Sequence, residues 1–336
     1  MSNIAAPTGT DPQIGPPPPL DPEVVPALRA LNEVAPDPRD PDWVAKLRNA
    51  SAAMGQLADD DIRRGGVFEF EERTVPGPAG APDLRLLIIR PTGTSGPQPV
   101  IYSTHGGGMV GGTHRGPDVI AELDRAQELQ LAVVAVDYRL APENPHPAPV
   151  EDCYAGLAWL AAHSEELGLD PQKIIISGAS AGGGLAAATT LLARDRGGPA
   201  LLAQMLLCPM LDDRCASPST IQMESSGGWD RAANLAGWTA LLGDRRGTDD
   251  VSPYAAPARA TDLSGLPPAF IDAGSAETFR DETVAYATRI WLAGGQAELH
   301  IWPGGFHGFD VMAPHAVISQ DAKAVRLHWL RRILGD

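Results

Sequence analysis

Ile174-Ile175-Ile176-Ser177-Gly178-Ala179-Ser180-Ala181-Gly182-Gly183 decides how the chain is read. A short uncharged run of β-branched residues suits a strand buried on both faces of a sheet. It leads directly into Gly178, Ser180 and Gly182, a G-x-S-x-G pattern, and an alanine-rich helical stretch over 181–194 leads out. A serine held on so sharp a strand-to-helix turn needs strained backbone angles. Glycines two before and two after it let the flanking chain approach without Cβ clashes. The helix that follows points its first N–H groups at the serine and favours negative charge developing there. The five-residue pattern alone also fits an inert serine in a tight turn. The strand before it and the helix after it favour Ser180 as a nucleophile. A phosphate-binding loop is disfavoured, because neither G-x-G-x-x-G nor G-x-x-x-x-G-K-[ST] fits.

Outward from this decapeptide the same signature repeats. Strands are expected at 67–75, alternating like a half-exposed edge, and at 84–90, 99–104, 131–136, 174–177, 202–207, 268–273 and 297–302. Helical stretches at 117–129, 149–167, 181–194, 281–293 and 315–334 lie between them. Buried strands alternating with helices predict an α/β fold, a mostly parallel eight-stranded sheet flanked by helices. Residues 1–22, with Pro16-Pro17-Pro18-Pro19, read as an extended or flexible Pro-rich tail. Residues 23–63 read as two or three short helices, from Val24, Val25, Leu28 and Leu31, then Trp43, Val44, Leu47 and Met54. The catalytic domain is expected over 64–336. It is interrupted at about 212–265 by an insertion whose helix spans 228–242, with Trp229, Leu235, Trp238 and Leu241. The insertion and the N-terminal helices together are expected to form a cap.

His105-Gly106-Gly107-Gly108 directly follows the third strand. Acyl transfer needs N–H donors about 3 Å from the developing oxyanion, and glycines let a backbone turn its amides toward substrate. Gly107, Gly108 and Ala181 are therefore the expected oxyanion-hole donors. His105 is expected to orient the loop without transferring a proton. On its own the run could equally be a flexible turn. Of eight histidines, His307 in Pro303-Gly304-Gly305-Phe306-His307-Gly308-Phe309 alone occupies a loop after the last strand, where active groups of such a sheet gather. The acid is sought between Ser180 and His307, past the strand at 268–273. Glu277 fits that position, whereas Asp281, at a helix start, reads as an ordinary dipole partner. Met109, Trp229 and Trp238 are candidate pocket residues, and both tryptophans could instead hold the cap together.

Bulk properties restrict the remaining classes. Lys and Arg number 26 against 42 Asp and Glu, a net charge of −16 and a pI near 4.8. Nucleic acid and anionic membranes, which call for basic patches, are not expected partners. No run reaches the roughly 18 apolar residues of a membrane helix, and no basic segment followed by an apolar core suggests a secretory signal. The three cysteines, Cys153, Cys208 and Cys215, form neither a disulfide framework nor a metal motif. They read as incidental thiols of a reducing cytoplasm, and no metal is expected.

With these residues assembled, the chain resembles the hormone-sensitive-lipase-like bacterial carboxylesterases of the α/β-hydrolase fold. The resemblance runs from about Val67 to the C-terminus. It rests on His105-Gly106-Gly107-Gly108, Asp137-Tyr138-Arg139-Leu140-Ala141-Pro142-Glu143, the Ser180 elbow and Phe306-His307-Gly308-Phe309. It implies a serine esterase acting on short acyl chains, no cofactor, a cap of N-terminal helices plus an insertion, and frequent dimerisation through the last strand and helix. It also suggests that Arg139 and Glu143 brace the elbow. Three positions depart from the common pattern: Glu277 where many members carry Asp, Met109 where an aromatic residue is usual, and Ala179 where acidic or hydroxyl residues are common. Two rival readings remain, a non-catalytic small-molecule binder on the same fold and an amidase or lactonase with the same triad.

Overall fold

A computed structural model describes residues 14–53, 55–224 and 228–335. Met54 and most of the Pro-rich tail lie outside them. The hairpin β1 (Phe68–Val75) and β2 (Leu84–Pro91) forms one edge of the sheet. β2 pairs antiparallel with β4 (Ala132–Asp137). From there β3 (Gln98–Thr104), β5 (Leu169–Ala179), β6 (Ala203–Leu207), β7 (Ala269–Gly274) and β8 (Ala297–Trp302) run parallel, in the order β1-β2-β4-β3-β5-β6-β7-β8. All eight strands expected from the sequence are present.

The apolar runs explain the layering. Strand residues alternate between faces. Val100, Tyr102, Ile174 and Ile176 pack with α5 (Ala148–His163), α6 (Ala181–Arg196) and α9 (Arg280–Leu292). Ile101 and Val133 pack under α4 (Pro117–Leu129), and Ile175, Met205 and Phe270 under α11 (Val317–Leu334). Strands covered on both sides must be apolar on both sides, and the central ones are.

Some boundaries moved. The helix expected over 149–167 stops at His163, where the Ser164 hydroxyl donates to the Leu160 carbonyl at 2.8 Å. The helix expected from residue 228 is α8 (Arg231–Leu242), starting where the Asp230 carboxylate accepts the Ala233 N–H at 2.8 Å. α7 (Pro218–Gln222) and α10 (Phe309–Met312) are too short to show a period in sequence. The N-terminal segment forms α1 (Val25–Val34), α2 (Trp43–Ala53) and α3 (Asp59–Arg63). Residues 14–21 have no regular structure, yet the chain here is held. Gln222 donates to the Gly15 and Pro16 carbonyls, and the Asp21 N–H donates to Gly304.

Candidate active site

Because β3, β5, β6, β7 and β8 are parallel and adjacent, the loops at their C-terminal ends share one edge of the sheet. Ser180 follows β5, the glycine loop follows β3, Glu277 follows β7 and His307 follows β8. Residues separated by up to 202 positions, from His105 to His307, thereby meet in one place.

Ser180 sits at φ 58°, ψ −124°, a conformation costly for a side-chain-bearing residue. Its backbone is tied on both sides: its N–H donates to Leu207, and its carbonyl accepts from Gly184 and Met210. The elbow glycines are obligatory for space. A Cβ on Gly182 would lie 2.0 Å from the Thr104 carbonyl oxygen, and one on Gly178 would lie 2.4 Å from Gly182.

The His307 Nε2 is 3.0 Å from the Ser180 Oγ, and its Nδ1 is 3.2 Å from the Glu277 Oε1. Glu277 is fully buried, and its second oxygen accepts the Gly274 N–H at 2.8 Å. The Phe279 and His307 rings pack in a T-shaped arrangement with centroids 5.1 Å apart. Asp281 lies apart from this line and accepts the Ser219 N–H of α7 at 2.7 Å.

Gly107 and Gly108 have φ of +115° and +62°, values that favour glycine. Among the described residues their N–H groups donate to no acceptor. The loop lies against the elbow: a Cβ on Gly106 would sit 3.6 Å from that of Ser180. Three contacts hold it there. Asp118 at the start of α4 accepts the Gly106 N–H at 3.0 Å, the Tyr138 hydroxyl donates to the His105 carbonyl at 2.7 Å, and the His105 ring stacks on Tyr138 at 4.1 Å. Burial raises the Asp118 carboxyl above its ordinary range, and the Gly106 N–H partly offsets this. His105 donates from Nδ1 to the Gly106 carbonyl at 2.8 Å, and burial lowers its pKa to about 4. A neutral ring held in this way can position the loop but does not face Ser180 as His307 does.

Several expectations need correction. Trp238 is fully buried on the inner face of α8 and packs in the main core, so it lines no open pocket. Met109, at φ +66°, is also buried, and its terminal methyl lies 3.7 Å from the Cβ position of Gly184, in the first turn after Ser180. Trp229, half-buried, packs on the glycine loop: a Cβ on Gly108 would lie 2.3 Å from its ring. Arg139 and Glu143 do not brace the elbow. Arg139 forms a two-pronged ion pair with the buried Asp152 of α5. Glu143 pairs with Arg48 of α2, which also donates to the Val110 and Ala141 carbonyls. That motif therefore secures the glycine loop, helped by the Ala141 N–H donating to Met109. Asp118, Arg48 and Cys208 were missed as neighbours of the site, since nothing local distinguishes an aspartate at a helix start, a surface arginine or an isolated cysteine. Only the position of Asp118, shortly after the glycine run, hinted at its contact.

The family model for the alpha/beta hydrolase fold matches residues 101–311, which hold the glycine loop, Ser180, Glu277 and His307. The chain belongs to that family. This hydrolase is 37% identical over 276 residues to the carboxylesterase NlhH of Mycobacterium tuberculosis, covering 80% of this chain and 83% of the relative. It is 36% identical to the carboxylic ester hydrolase LipN of the same organism, over 80% of this chain and 71% of LipN. Among solved structures, a bacterial heroin esterase superposes with a TM-score of 0.86 at 42% identity, covering 94% of this hydrolase and 98% of that chain. The esterase LipW from Mycobacterium marinum superposes with a TM-score of 0.83 at 31% identity, covering 96% and 99%. The hydrolase is thus a serine carboxylesterase of the hormone-sensitive-lipase-like group. Among the described residues no helix is long and apolar enough to cross a membrane.

Proposed function

We propose that this esterase cleaves short-chain carboxylic esters through an acyl-enzyme on Ser180, with His307 as general base and Glu277 as its orienting acid. One observation carries the reading: a single imidazole faces the Ser180 hydroxyl at 3.0 Å with one nitrogen and a fully buried carboxylate at 3.2 Å with the other. Glu277 holds the ring with its proton on Nδ1, which leaves the Nε2 lone pair for the serine proton. As the Ser180 Oγ bonds to the ester carbonyl carbon, that proton moves to Nε2 and the carbonyl oxygen becomes an oxyanion. The N–H groups of Gly107, Gly108 and Ala181 would hold it. Collapse breaks the ester C–O bond, Nε2 returns its proton to the departing alkoxide, and the acyl group stays on Ser180. A water deprotonated by the same nitrogen then releases the acid.

Trp229 lying directly on Gly108 supports a shallow acyl site. The contact between Trp43 of α2 and Trp229, with centroids 6.0 Å apart, supports a cap built jointly from the N-terminal helices and the insertion. Three free thiols support a reducing, cytoplasmic setting. The outer edge of β8 ends the sheet and supports a homodimer through β8 and α11. Light scattering at twice the chain mass is expected, and a particle of one chain mass would remove the dimer.

The function itself is tested with p-nitrophenyl esters from C2 to C12. Turnover should peak at short chains. Ser180→Ala should lower kcat on the order of 10⁶-fold and Glu277→Gln on the order of 10⁴-fold, as in other serine triads. Mass spectrometry should find the acyl group on the Ser180 peptide. Full turnover in folded Ser180→Ala protein would overturn the assignment.

A further inference from the structure

Cys208 directly follows β6, and its N–H donates to the Asp272 carbonyl at 2.7 Å, which ties it to the end of β7. The Cys208 Sγ, a Glu277 carboxylate oxygen and a His307 ring nitrogen all lie within 4.8 Å of one another. Three separate loops supply them, so no spacing in the sequence marks the group. The ester hydrolysis outlined above makes no use of the thiol.

We propose that Cys208, Glu277 and His307 form a binding site for a soft divalent cation such as Zn²⁺, and that filling it shuts down the esterase. The inhibitory half rests on the roles proposed for Ser180, Glu277 and His307; the binding half does not. Thiolate, imidazole and carboxylate are the donor set that zinc takes, at about 2.3 Å to sulfur and about 2.0–2.2 Å to nitrogen and oxygen. Donors already gathered within 4.8 Å need only a small contraction to reach such a centre.

Charge points the same way. The carboxylates of Glu277, Asp310 and Asp272 act on the Cys208 position with only Arg326 opposing them, so the nearby charges are predominantly negative and attract a dication. On binding, the S–H bond breaks, the proton leaves to buffer and an S–Zn bond forms. The two anionic ligands and the Zn²⁺ then sum to zero. Occupation removes the base in either geometry. A metal on the nitrogen facing Ser180 takes the lone pair that would accept the serine proton. A metal on the other nitrogen leaves the ring proton facing Ser180, with the same result. Hard cations prefer all-oxygen sites, so Mg²⁺ and Ca²⁺ should not compete.

The test titrates Zn²⁺ into the intact protein by calorimetry and follows p-nitrophenyl acetate hydrolysis in parallel. One Zn²⁺ should bind per chain, inhibition should track binding and reverse with EDTA, and Mg²⁺ should do neither. Cys208→Ala should keep its metal-free turnover within a few-fold while both Zn²⁺ affinity and inhibition weaken at least about tenfold. Cys208→Ser, closer in size, guards against a folding defect. Ser180→Ala should bind Zn²⁺ as the parent does, so a failed triad assignment leaves the binding readout intact. No saturable Zn²⁺ binding would overturn the proposal, as would unchanged binding or unchanged inhibition in either folded Cys208 variant.

Discussion

At the residue scale, the groups that were legible in sequence are those whose chemistry demands an unusual local pattern. Ser180 needed glycines on both sides, and His307 needed a loop between the last strand and the last helix. The residues that hold the glycine loop in place were not legible, because Asp118, Tyr138 and Arg48 act through space and use ordinary side chains. His105, expected from the sequence to orient the same loop, makes a distinctive prediction. It is buried with Nε2 lacking a partner among the described residues, and burial lowers its pKa to about 4. The unfolded chain holds that proton at about pH 6.5. Between those values the unfolded state binds the extra proton, so stability present above about pH 6.5 is lost as the pH falls toward 4, then levels off. The loss from His105 is about 3 kcal/mol. His146, lowered to about 4 by burial and by Arg245, acts over the same range. Urea unfolding of His105→Gln between pH 7 and pH 4 should show a shallower decline than the parent, with the His146 share remaining. If the variant's curve is only displaced downward in parallel with the parent's, His105 is not the titrating group.

At the scale of elements, strands and long helices followed from apolar periodicity, and their ends followed from caps that only the structure reveals. Asp230 starting α8 is one such case. Periodicity could not tell which face of α8 meets the site. The contact is made at Gly237, whose Cβ would lie 2.9 Å from the Gly108 carbonyl oxygen and 3.4 Å from the Trp229 ring. α8 therefore packs against Trp229 and the loop that carries two of the proposed oxyanion donors, and on the proposed reading the ring limits the acyl group beside Ser180. Trp229→Ala should open that space. Each methylene newly buried contributes about 0.8 kcal/mol, roughly fourfold in kcat/KM. The variant's ratio of C8 to C4 ester kcat/KM should rise at least about tenfold over the parent's. An equal fall at every chain length would mean that Trp229 only holds the cap to α2.

At the scale of the molecule, the chain's beginning and end converge on the His307 loop, a relation no local pattern announces. Val24, just before α1, and Leu28 of α1 share a core cluster with Phe306, Phe309, Ala313 and Ala322. Beneath that loop runs a buried ionic bridge. Arg326 of α11 donates to Asp272 of β7 at 2.8 Å and also pairs with Asp310 of α10, while the Trp302 indole N–H donates to the same Asp272 oxygen at 3.0 Å. Arg326 and Asp272 are almost fully buried, and Asp310 is buried too. Two carboxylates taken out of water are tolerable only with the guanidinium between them. The bridge fastens the last helix to the strand before Glu277 and to the turn after His307, so the two proposed partners of Ser180 share a support remote from the chemistry. Arg326→Met keeps much of the volume but strands both carboxylates. It should cost about 3–5 kcal/mol in urea unfolding at neutral pH. Protonating a stranded carboxylate relieves the repulsion, so the variant's deficit should shrink on acidification, and a deficit that stays constant from pH 8 to pH 5 would show that Arg326 contributes packing rather than charge.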